Sequence, residues 1–274
     1  MKKIGIIGIG NMGFAILEAL VKKFDVSNLY ISDTSEEKIK SAIKNLKIPK
    51  NNCFLDFNDL LKQIDIVILA IKPQAFEEFT KFIKIDLKDK VVISIMAGVS
   101  IEKINKFLKI KKIIRSMPNL CAQVSQALTG WISSKEVSKT EKEIAKKIFR
   151  SFGEEIELKK EDKINELTAL SGSGPAYFFY LTELLEEKAN FFGFTEEEAR
   201  KIAEITFIGS AKVLEKSRNL PSAPLTSMDL KNAVTSKGGT TEAALKFMEE
   251  NKFGEIFQNA VECAKRRAEE MNGK

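Results

Sequence analysis

The feature that most constrains the fold is an alternation, along the first half of the chain, of short apolar runs with amphipathic segments. The runs are rich in β-branched residues and end at Gly8, Asp33, Ile71, Ile95 and Met117. The segments between them carry apolar residues at helical spacing. Strands that are apolar throughout and separated by helices are typical of a parallel sheet covered on both faces. The sequence therefore predicts an α/β domain with a doubly wound, mainly parallel sheet.

A second, all-helical part is predicted beyond Leu158, where the strand signals stop. Two further strands, near Ala127–Ile132 and Glu154–Leu158, complete the predicted sheet. The segments that follow read as helices at Glu161–Leu170, Pro175–Phe192, Thr195–Lys216 and after Thr240. Several are apolar on more than one face, and a domain of about 110 residues has limited interior to bury them. We expect a Rossmann-like domain over residues 1–160, a helical domain over residues 161–274, and packing between subunits.

The charge pattern argues against two classes of partner. The net charge of +6 comes from lysines scattered along all 274 residues, often beside glutamates. Such a pattern is typical of a solvated surface. The chain has no dense basic run of the kind that would predict nucleic-acid binding. No apolar stretch is long enough to span a membrane, and glycines interrupt the N-terminal apolar run that a signal peptide would need.

The cysteines and the missing histidine narrow the chemistry. Cys53, Cys121 and Cys263 are odd in number and widely separated, so they form neither a disulfide framework nor a metal-ligand spacing. They predict a reducing, cytoplasmic location. The chain contains no histidine, which excludes imidazole-dependent triads, the usual zinc sites and histidine acid–base steps. We expect no metal, and chemistry that uses carboxylates, lysine, hydroxyls or a cofactor.

A glycine motif follows the first predicted strand and opens the first predicted helix. Gly8 allows the tight turn, Gly10 lets the backbone approach a pyrophosphate, and Gly13 allows close helix–strand packing. The motif predicts a dinucleotide site. Its candidate contacts are Ile7, Gly8, Ile9, Gly10, Asn11, Met12 and Gly13.

Asp33 ends the second predicted strand, about 20 residues beyond the last glycine, where a ribose-binding acid is expected. An acid there favours the 2′-hydroxyl of NAD and repels a 2′-phosphate. Thr34 and Ser35 can still donate to a phosphate, and Lys38 lies one helical turn on. Ser35 is equally suited to be a helix N-cap. The choice between NADH and NADPH stays open at this point.

Three loops at the ends of later strands are further candidates for the cofactor site. In open α/β sheets, ligands lie outside the carboxyl ends of the strands. The alternative is that each loop is an ordinary connection between a strand and a helix, with a proline at the first helical position. The candidate residues are Ala70, Ile71, Lys72 and Pro73, then Ile95, Met96 and Ala97, and finally Asn119.

The segment Val234–Leu245, VTSKGGTTEAAL, runs from hydroxyl residues and a double glycine into a helical pattern. Such a sequence can place backbone N–H groups and hydroxyls around a small anion at a helix N-terminus. It can equally be a capped helix, since serine and threonine are preferred N-caps. Both interpretations remain possible from the residues alone.

Taken together, the ordered motifs resemble those of pyrroline-5-carboxylate reductase, the last enzyme of proline biosynthesis. The motifs are GIGNMG, AIKPQ, SIMAGVS, RSMPN, SGSGPAY and VTSKGGTTEAAL, and they span nearly the whole chain. The last is the most specific. Two positions depart from the family pattern: Lys237 replaces the usual proline, and Asp33 does not favour the NADPH that the family often prefers.

The resemblance implies reduction of L-1-pyrroline-5-carboxylate to L-proline with NADPH or NADH. By analogy, Thr241 donates to the imine nitrogen, while Ser236 and the N–H groups of Gly238, Gly239 and Thr240 hold the carboxylate. It also implies that the helical domain is the dimerisation and substrate-binding domain of a homodimer that assembles further. Ser171–Tyr177 is then a structural helix start. The alternatives are a β-hydroxyacid or 6-phosphogluconate-type dehydrogenase, or a non-catalytic dinucleotide-binding regulator.

Overall fold

In the computed structural model of the chain, residues 2–218, 220 and 223–272 are described. They divide into two compact units. The first, here called the sheet unit, runs to Pro175 and includes the residues from Cys263 onward. The second, the helical unit, is Ala176–Glu262. Among the described residues, no helix is both long and apolar enough to cross a membrane.

The sheet unit is built on one eight-stranded sheet with the strand order 3-2-1-4-5-6-7-8. Its strands are β1 (Ile4–Ile7), β2 (Leu29–Ser32), β3 (Cys53–Phe54), β4 (Ile66–Leu69), β5 (Val91–Ser94), β6 (Ile113–Met117), β7 (Ala127–Ser133) and β8 (Gly153–Glu157). Every neighbouring pair is parallel except β6 and β7, which are antiparallel. The prediction of a doubly wound, mainly parallel sheet is confirmed. The reversal at β1, between β2 and β4, is the switch point at which such folds bind dinucleotides.

Burial on both faces explains why these runs form strands. Successive residues of β1 enter different cores: Ile6 packs in one apolar cluster and Ile7 in the other. Ile68 and Val67 of β4 divide in the same way. Because side chains alternate across a strand, a sheet covered on both faces needs apolar residues at every position.

Helices cover the sheet and begin mostly at serine or aspartate caps. They are α1 (Asn11–Leu20), α2 (Glu36–Leu46), α3 (Phe57–Gln63), α4 (Phe76–Lys81), α5 (Ile101–Leu108), α6 (Lys139–Phe149) and α7 (Lys163–Leu167). The sequence pattern between the last two strands predicts a helix over Glu136–Phe152, but α6 begins three residues later, at Lys139. Ser138 and Glu141 form a reciprocal capping box there, which satisfies two N–H groups and sets the start.

A π-helical turn, Thr168–Gly172, follows α7. The Nδ2 group of Asn119, just beyond β6, donates to the carbonyl and the hydroxyl oxygens of Ser171 in that turn, at 3.1 and 3.0 Å. The first part of the SGSGPAY motif is thus tied to the carboxyl end of the sheet. A helix begins at Gly174, within this motif, as predicted, and the absence of a catalytic role for the motif stays a prediction.

The remaining helices are α8 (Gly174–Phe191), α9 (Glu196–Arg218), α10 (Ser227–Ala233), α11 (Thr240–Glu250) and α12 (Phe253–Asn272). Of the described residues in the helical unit, the buried apolar ones are three alanines, Ala189, Ala199 and Ala203. Large apolar side chains along α8 and α9 are instead exposed, for example Phe179 at 54% and Ile205 at 60%. Within the described part of the helical unit, no large side chain is buried.

Candidate active site

The glycine loop between β1 and α1 has the geometry of a phosphate-binding turn. Gly8 has a φ of 91°, and a Cβ there would lie 2.7 Å from the carbonyl oxygen of Ala70. A Cβ on Gly13 would overlap the carbonyl oxygen of Gly8. Neither position accepts a side chain without a shift of backbone, as the glycine motif predicts.

Gly10 differs, because a Cβ there would meet no described atom within 4 Å. It is the N-cap of α1 and has no side-chain cap bond, so the first N–H groups of this ten-residue helix keep their donor capacity. An open approach to uncapped N–H groups is what a pyrophosphate requires. The residues present therefore fit a dinucleotide. Asn11 is exposed and Met12 is partly exposed, whereas Ile9 is 2% exposed and can offer only its backbone.

Asp33 lies just beyond β2 and is held by the backbone on two sides. Its Oδ2 accepts the N–H of Ile9 at 2.9 Å, and its Oδ1 accepts the N–H of Ser35 at 2.9 Å. The Nζ group of Lys38 lies 3.3 Å from Oδ2, and the aspartate side chain is only 8% exposed. Ser35 is the N-cap of α2, which confirms the capping interpretation, and Thr34 is exposed. The carboxylate thus joins the end of β2 to the glycine loop.

The loops after β4 and β5 lie at the same edge of the sheet as the glycine loop, since β4 is a parallel neighbour of β1 and β5 is a parallel neighbour of β4. Ala70 and Ile71 are partly exposed, and Lys72 is the exposed N-cap of a short 3-10 turn with Pro73 at its first position. That turn is the ordinary strand-to-helix connection that the alternative interpretation predicts. It does not block contact between these partly exposed residues and a cofactor.

The loop after β5 presents mainly backbone. Ile95 and Ala97 are partly exposed, whereas the Met96 side chain is buried in the core. Asn119, after β6, is also buried, and its amide is engaged with Ser171. Contact of Met96 with a cofactor would thus involve main-chain atoms, and the Asn119 side chain orders the π-helical turn.

The hydroxyl-rich segment in the helical unit forms the start of α11. Gly239 is the N-cap, and no side chain caps the helix, so the hydroxyl-capped helix of the alternative interpretation is not what forms. The N–H of Gly239 donates to the Ser236 carbonyl at 2.9 Å, within a turn in which Gly238 has a φ of 73°. The N–H groups of Thr240 and Thr241 are in the first turn and have no intrahelical acceptor.

Three hydroxyls of this segment, those of Ser236, Thr240 and Thr241, make no hydrogen bond with any described residue. Hydroxyls inside helices behave differently: that of Thr182 donates to the Phe178 carbonyl at 2.8 Å. A first-turn residue has no carbonyl one turn back to bind in this way. Donors are therefore available here to an external group.

Glu242 is the residue of this segment that sequence reasoning missed. Its Oε2 accepts the N–H of Gly238 at 2.6 Å, so a carboxylate of the chain itself lies on the loop. An acid three residues after a helix N-cap is a known capping signal and could have drawn attention to it. Lys237, the departure from the family pattern, is exposed and forms no ion pair with the described residues.

Two of the three cysteines, Cys53 and Cys121, are poorly suited to act as nucleophiles. Burial raises the pKa of the Cys53 thiol to about 11 and also raises the pKa of the Cys121 thiol. A raised pKa disfavours the thiolate, which is the nucleophilic form of the side chain.

Comparison with known proteins assigns a family to both parts of the chain. A family model described as pyrroline-5-carboxylate reductase dimerisation matches residues 161–271. A second, described as NADP oxidoreductase coenzyme F420-dependent, matches residues 3–98. The two predicted types of domain, a helical dimerisation domain and a nucleotide-binding oxidoreductase domain, are thereby confirmed.

Relatives that match over nearly their whole length point to the same family as the dimerisation model. The pyrroline-5-carboxylate reductase of Haemophilus influenzae is 32% identical over 275 residues, which cover 98% of this chain and 97% of that protein. The solved reductase from Coxiella burnetii is 32% identical, covers 98% of both chains and has a TM-score of 0.85. The Plasmodium falciparum structure, described as having NADP bound, is 28% identical, covers 99% of this chain and 98% of its own, and has a TM-score of 0.83.

These relatives support the expected family over the two alternatives, a β-hydroxyacid-type dehydrogenase and a non-catalytic regulator. The similarity covers 98% of the chain and therefore extends through both units. The chain therefore belongs to the pyrroline-5-carboxylate reductase family, whose members are NAD(P)H-dependent oxidoreductases of proline biosynthesis.

Proposed function

We propose that this chain reduces L-1-pyrroline-5-carboxylate to L-proline, with Thr241 and the loop before it as the substrate site. The observation that carries the assignment of the site is the cluster of three uncommitted hydroxyls and first-turn N–H groups at the start of α11. An assay that follows oxidation of NADH or NADPH on addition of the imine tests the activity. Reduction of NAD or NADP by a 3-hydroxyacid, with no turnover of the imine, would instead favour the dehydrogenase alternative.

The cofactor site in this proposal is the edge of the sheet formed by the glycine loop and the loops after β2, β4 and β5. The N–H groups at the start of α1 hold the pyrophosphate, and Gly8 and Gly13 keep the backbone close enough for that. When bound, the reduced nicotinamide supplies the hydride.

Thr241 acts on the imine nitrogen. As hydride adds to the imine carbon, the electron pair of the C=N double bond moves to nitrogen, which takes up a proton and becomes the proline amine. A hydroxyl that donates a hydrogen bond to this nitrogen gains strength as the negative charge density rises, so it stabilises the transition state more than the substrate. Thr241 is half-buried and its hydroxyl is uncommitted, which suits this role.

The substrate carboxylate binds to Ser236 and to backbone N–H groups of the same loop. Of the three N–H groups first expected, those of Gly238 and Gly239 already have acceptors, and that of Thr240 lies in the first turn. We propose that the carboxylate takes the Thr240 N–H and the Ser236 hydroxyl, and that it displaces Glu242 from Gly238. The positive end of the α11 dipole favours an anion at this place.

Glu242→Gln is expected to lower KM for the imine about threefold to tenfold and to leave kcat unchanged, because the substrate no longer competes with a charged carboxylate. Steady-state kinetics measure both constants. Glu249→Gln, an exposed change two turns along the same helix, is the matched control. A raised KM in Glu242→Gln contradicts the proposed competition and assigns Glu242 to ordering the loop instead.

We propose a homodimer that assembles further. The dimerisation match and the family imply oligomerisation, and the helical unit leaves large apolar side chains of α8 and α9 exposed in a single chain. A unit whose buried apolar residues are alanines gains too little from its own packing to be stable alone. A second copy of the helical unit offers the same apolar surface in return.

Phe179→Asp is expected to weaken subunit association about a hundredfold or more, since it would bury an unpaired charge in an apolar interface. Light scattering after size exclusion measures the mass against that of one 30.7 kDa chain. Phe82→Asp is the control, because Phe82 is equally exposed, at 55% against 54%, but lies in the sheet unit. A fully active monomer in the unmodified protein would disprove the dimer.

Two further assignments complete the proposal. We assign residues 1–160 to cofactor binding and residues 161–274 to dimerisation and substrate binding, a division supported by the match of the dimerisation model from residue 161. We also assign the protein to the cytoplasm, which the three free thiols support.

A further inference from the structure

We infer that this chain binds NADH more tightly than NADPH, because Asp33 is a carboxylate fixed at the end of β2. The inference rests on the proposed cofactor site and extends it to the choice between the two dinucleotides. In doubly wound folds the residue at the end of the second strand lies beside the adenosine ribose, where a 2′-hydroxyl and a 2′-phosphate are told apart.

The Asp33 side chain cannot easily turn aside to admit a phosphate. Each of its oxygens accepts a backbone N–H at 2.9 Å, one from Ile9 and one from Ser35, and only 8% of the side chain is exposed. Rotation about χ1 would leave both N–H groups without an acceptor. A freely exposed aspartate could move away from a 2′-phosphate, whereas this one stays in place.

The surrounding charges do not cancel this carboxylate. Lys38 lies 3.3 Å from Asp33, but Glu36 and Glu37 stand in the first turn of α2, and Lys40 is paired with Glu36 at 3.0 Å. Together these three acids and two cations carry one net negative charge. A 2′-phosphate brings further negative charge, while a 2′-hydroxyl can donate to the carboxylate.

Asp33 also positions the phosphate loop, since its Oδ2 holds the N–H of Ile9 between Gly8 and Gly10. Two effects must therefore be separated. Loss of the whole side chain releases the loop and should weaken both dinucleotides. Loss of the charge alone should change their ratio, because an asparagine oxygen can still accept one of the two N–H groups.

The test is direct titration of the full-length protein with NADH and NADPH by calorimetry, without substrate and at low salt. The unmodified protein should bind NADH about tenfold or more tightly than NADPH, and this ratio should fall at high salt. In Asp33→Asn the ratio should move about tenfold towards NADPH, whereas Asp33→Ala should weaken both dinucleotides.

Two further variants keep the test decisive. Asp25→Asn is the control, because Asp25 also accepts an N–H two residues on, from Ser27 at 2.9 Å, but stands before β2 rather than after it. If Asp33→Asn fails to fold, Lys38→Met takes its place in the test. The Lys38 side chain is 48% exposed, and its loss should widen the preference for NADH over NADPH. Equal or tighter binding of NADPH by the unmodified protein overturns the inference. Failure to bind either dinucleotide overturns the proposed cofactor site as well.

Discussion

Thr241→Ala is expected to lower kcat/KM for pyrroline-5-carboxylate at least about tenfold, the scale of one lost hydrogen bond to a nitrogen that gains charge in the transition state. Most of the loss should appear in kcat, since the bond strengthens as hydride arrives. The carboxylate would still bind through Ser236 and the first-turn N–H groups. Steady-state kinetics with saturating cofactor separate the two constants.

Thr241→Ser provides the rescue for this prediction, because it restores the hydroxyl and should recover most of the activity. Thr80→Ala is the control: its hydroxyl already donates to the Glu77 carbonyl at 2.8 Å in the sheet unit, so its loss should not affect turnover. Normal kinetics in Thr241→Ala would remove Thr241 from the mechanism.

The second large effect is expected in the glycine loop, where Gly10 and Gly13 should respond differently to alanine. A Cβ on Gly10 meets no described atom within 4 Å, so Gly10→Ala should fold, with a loss of stability of about 1 kcal/mol or less. The added methyl group occupies the approach of the pyrophosphate to the start of α1. Dinucleotide affinity should therefore fall about a hundredfold, or about 2.7 kcal/mol.

Gly13→Ala should instead destabilise the fold itself. Its Cβ would overlap the Gly8 carbonyl oxygen, which is backbone and cannot move without disturbing the turn, so about 3 kcal/mol of stability should be lost. Thermal unfolding and cofactor titration of both variants make the comparison. A Gly10→Ala protein that binds NADH and NADPH normally would show that the cofactor does not approach this loop.

Much of the fold could be predicted because the strands of this sheet are buried on both faces. Strand β4 is apolar at every position from Ile66 to Leu69, and this continuous apolar pattern is enough to distinguish it from a surface helix. The glycine spacing then fixes the order of the first strand and helix. The boundaries of α6 and α7 were less predictable, since a capping box and a π-helical turn decide them.

The helix α10 (Ser227–Ala233) escaped prediction for a physical reason. It has only seven residues, so no hydrophobic period can establish itself, and it is set by the capping box of Thr226 and Asp229. The side-chain hydrogen bond from Thr226 holds the pKa of the Asp229 carboxyl below its usual range. Such a helix is recognised by its cap rather than by its apolar face.

The site was predictable in its residue types but not in its contacts. Asp33 could be placed at the ribose from its spacing, yet its bond to the Ile9 N–H joins residues 24 apart and needs the sheet to bring them together. The contact of Glu242 with Gly238 likewise depends on the positive φ of that glycine, which sequence alone does not reveal.

The most direct test of the central claim is isotope transfer from deuterated cofactor to product. The full-length protein, L-1-pyrroline-5-carboxylate and NADH carrying deuterium at the transferable nicotinamide position should yield L-proline. We predict one deuterium per proline, on the ring carbon that was the imine carbon, in step with NADH oxidised. Proline without deuterium, or no oxidation of NADH or NADPH in the presence of the imine, would contradict the account.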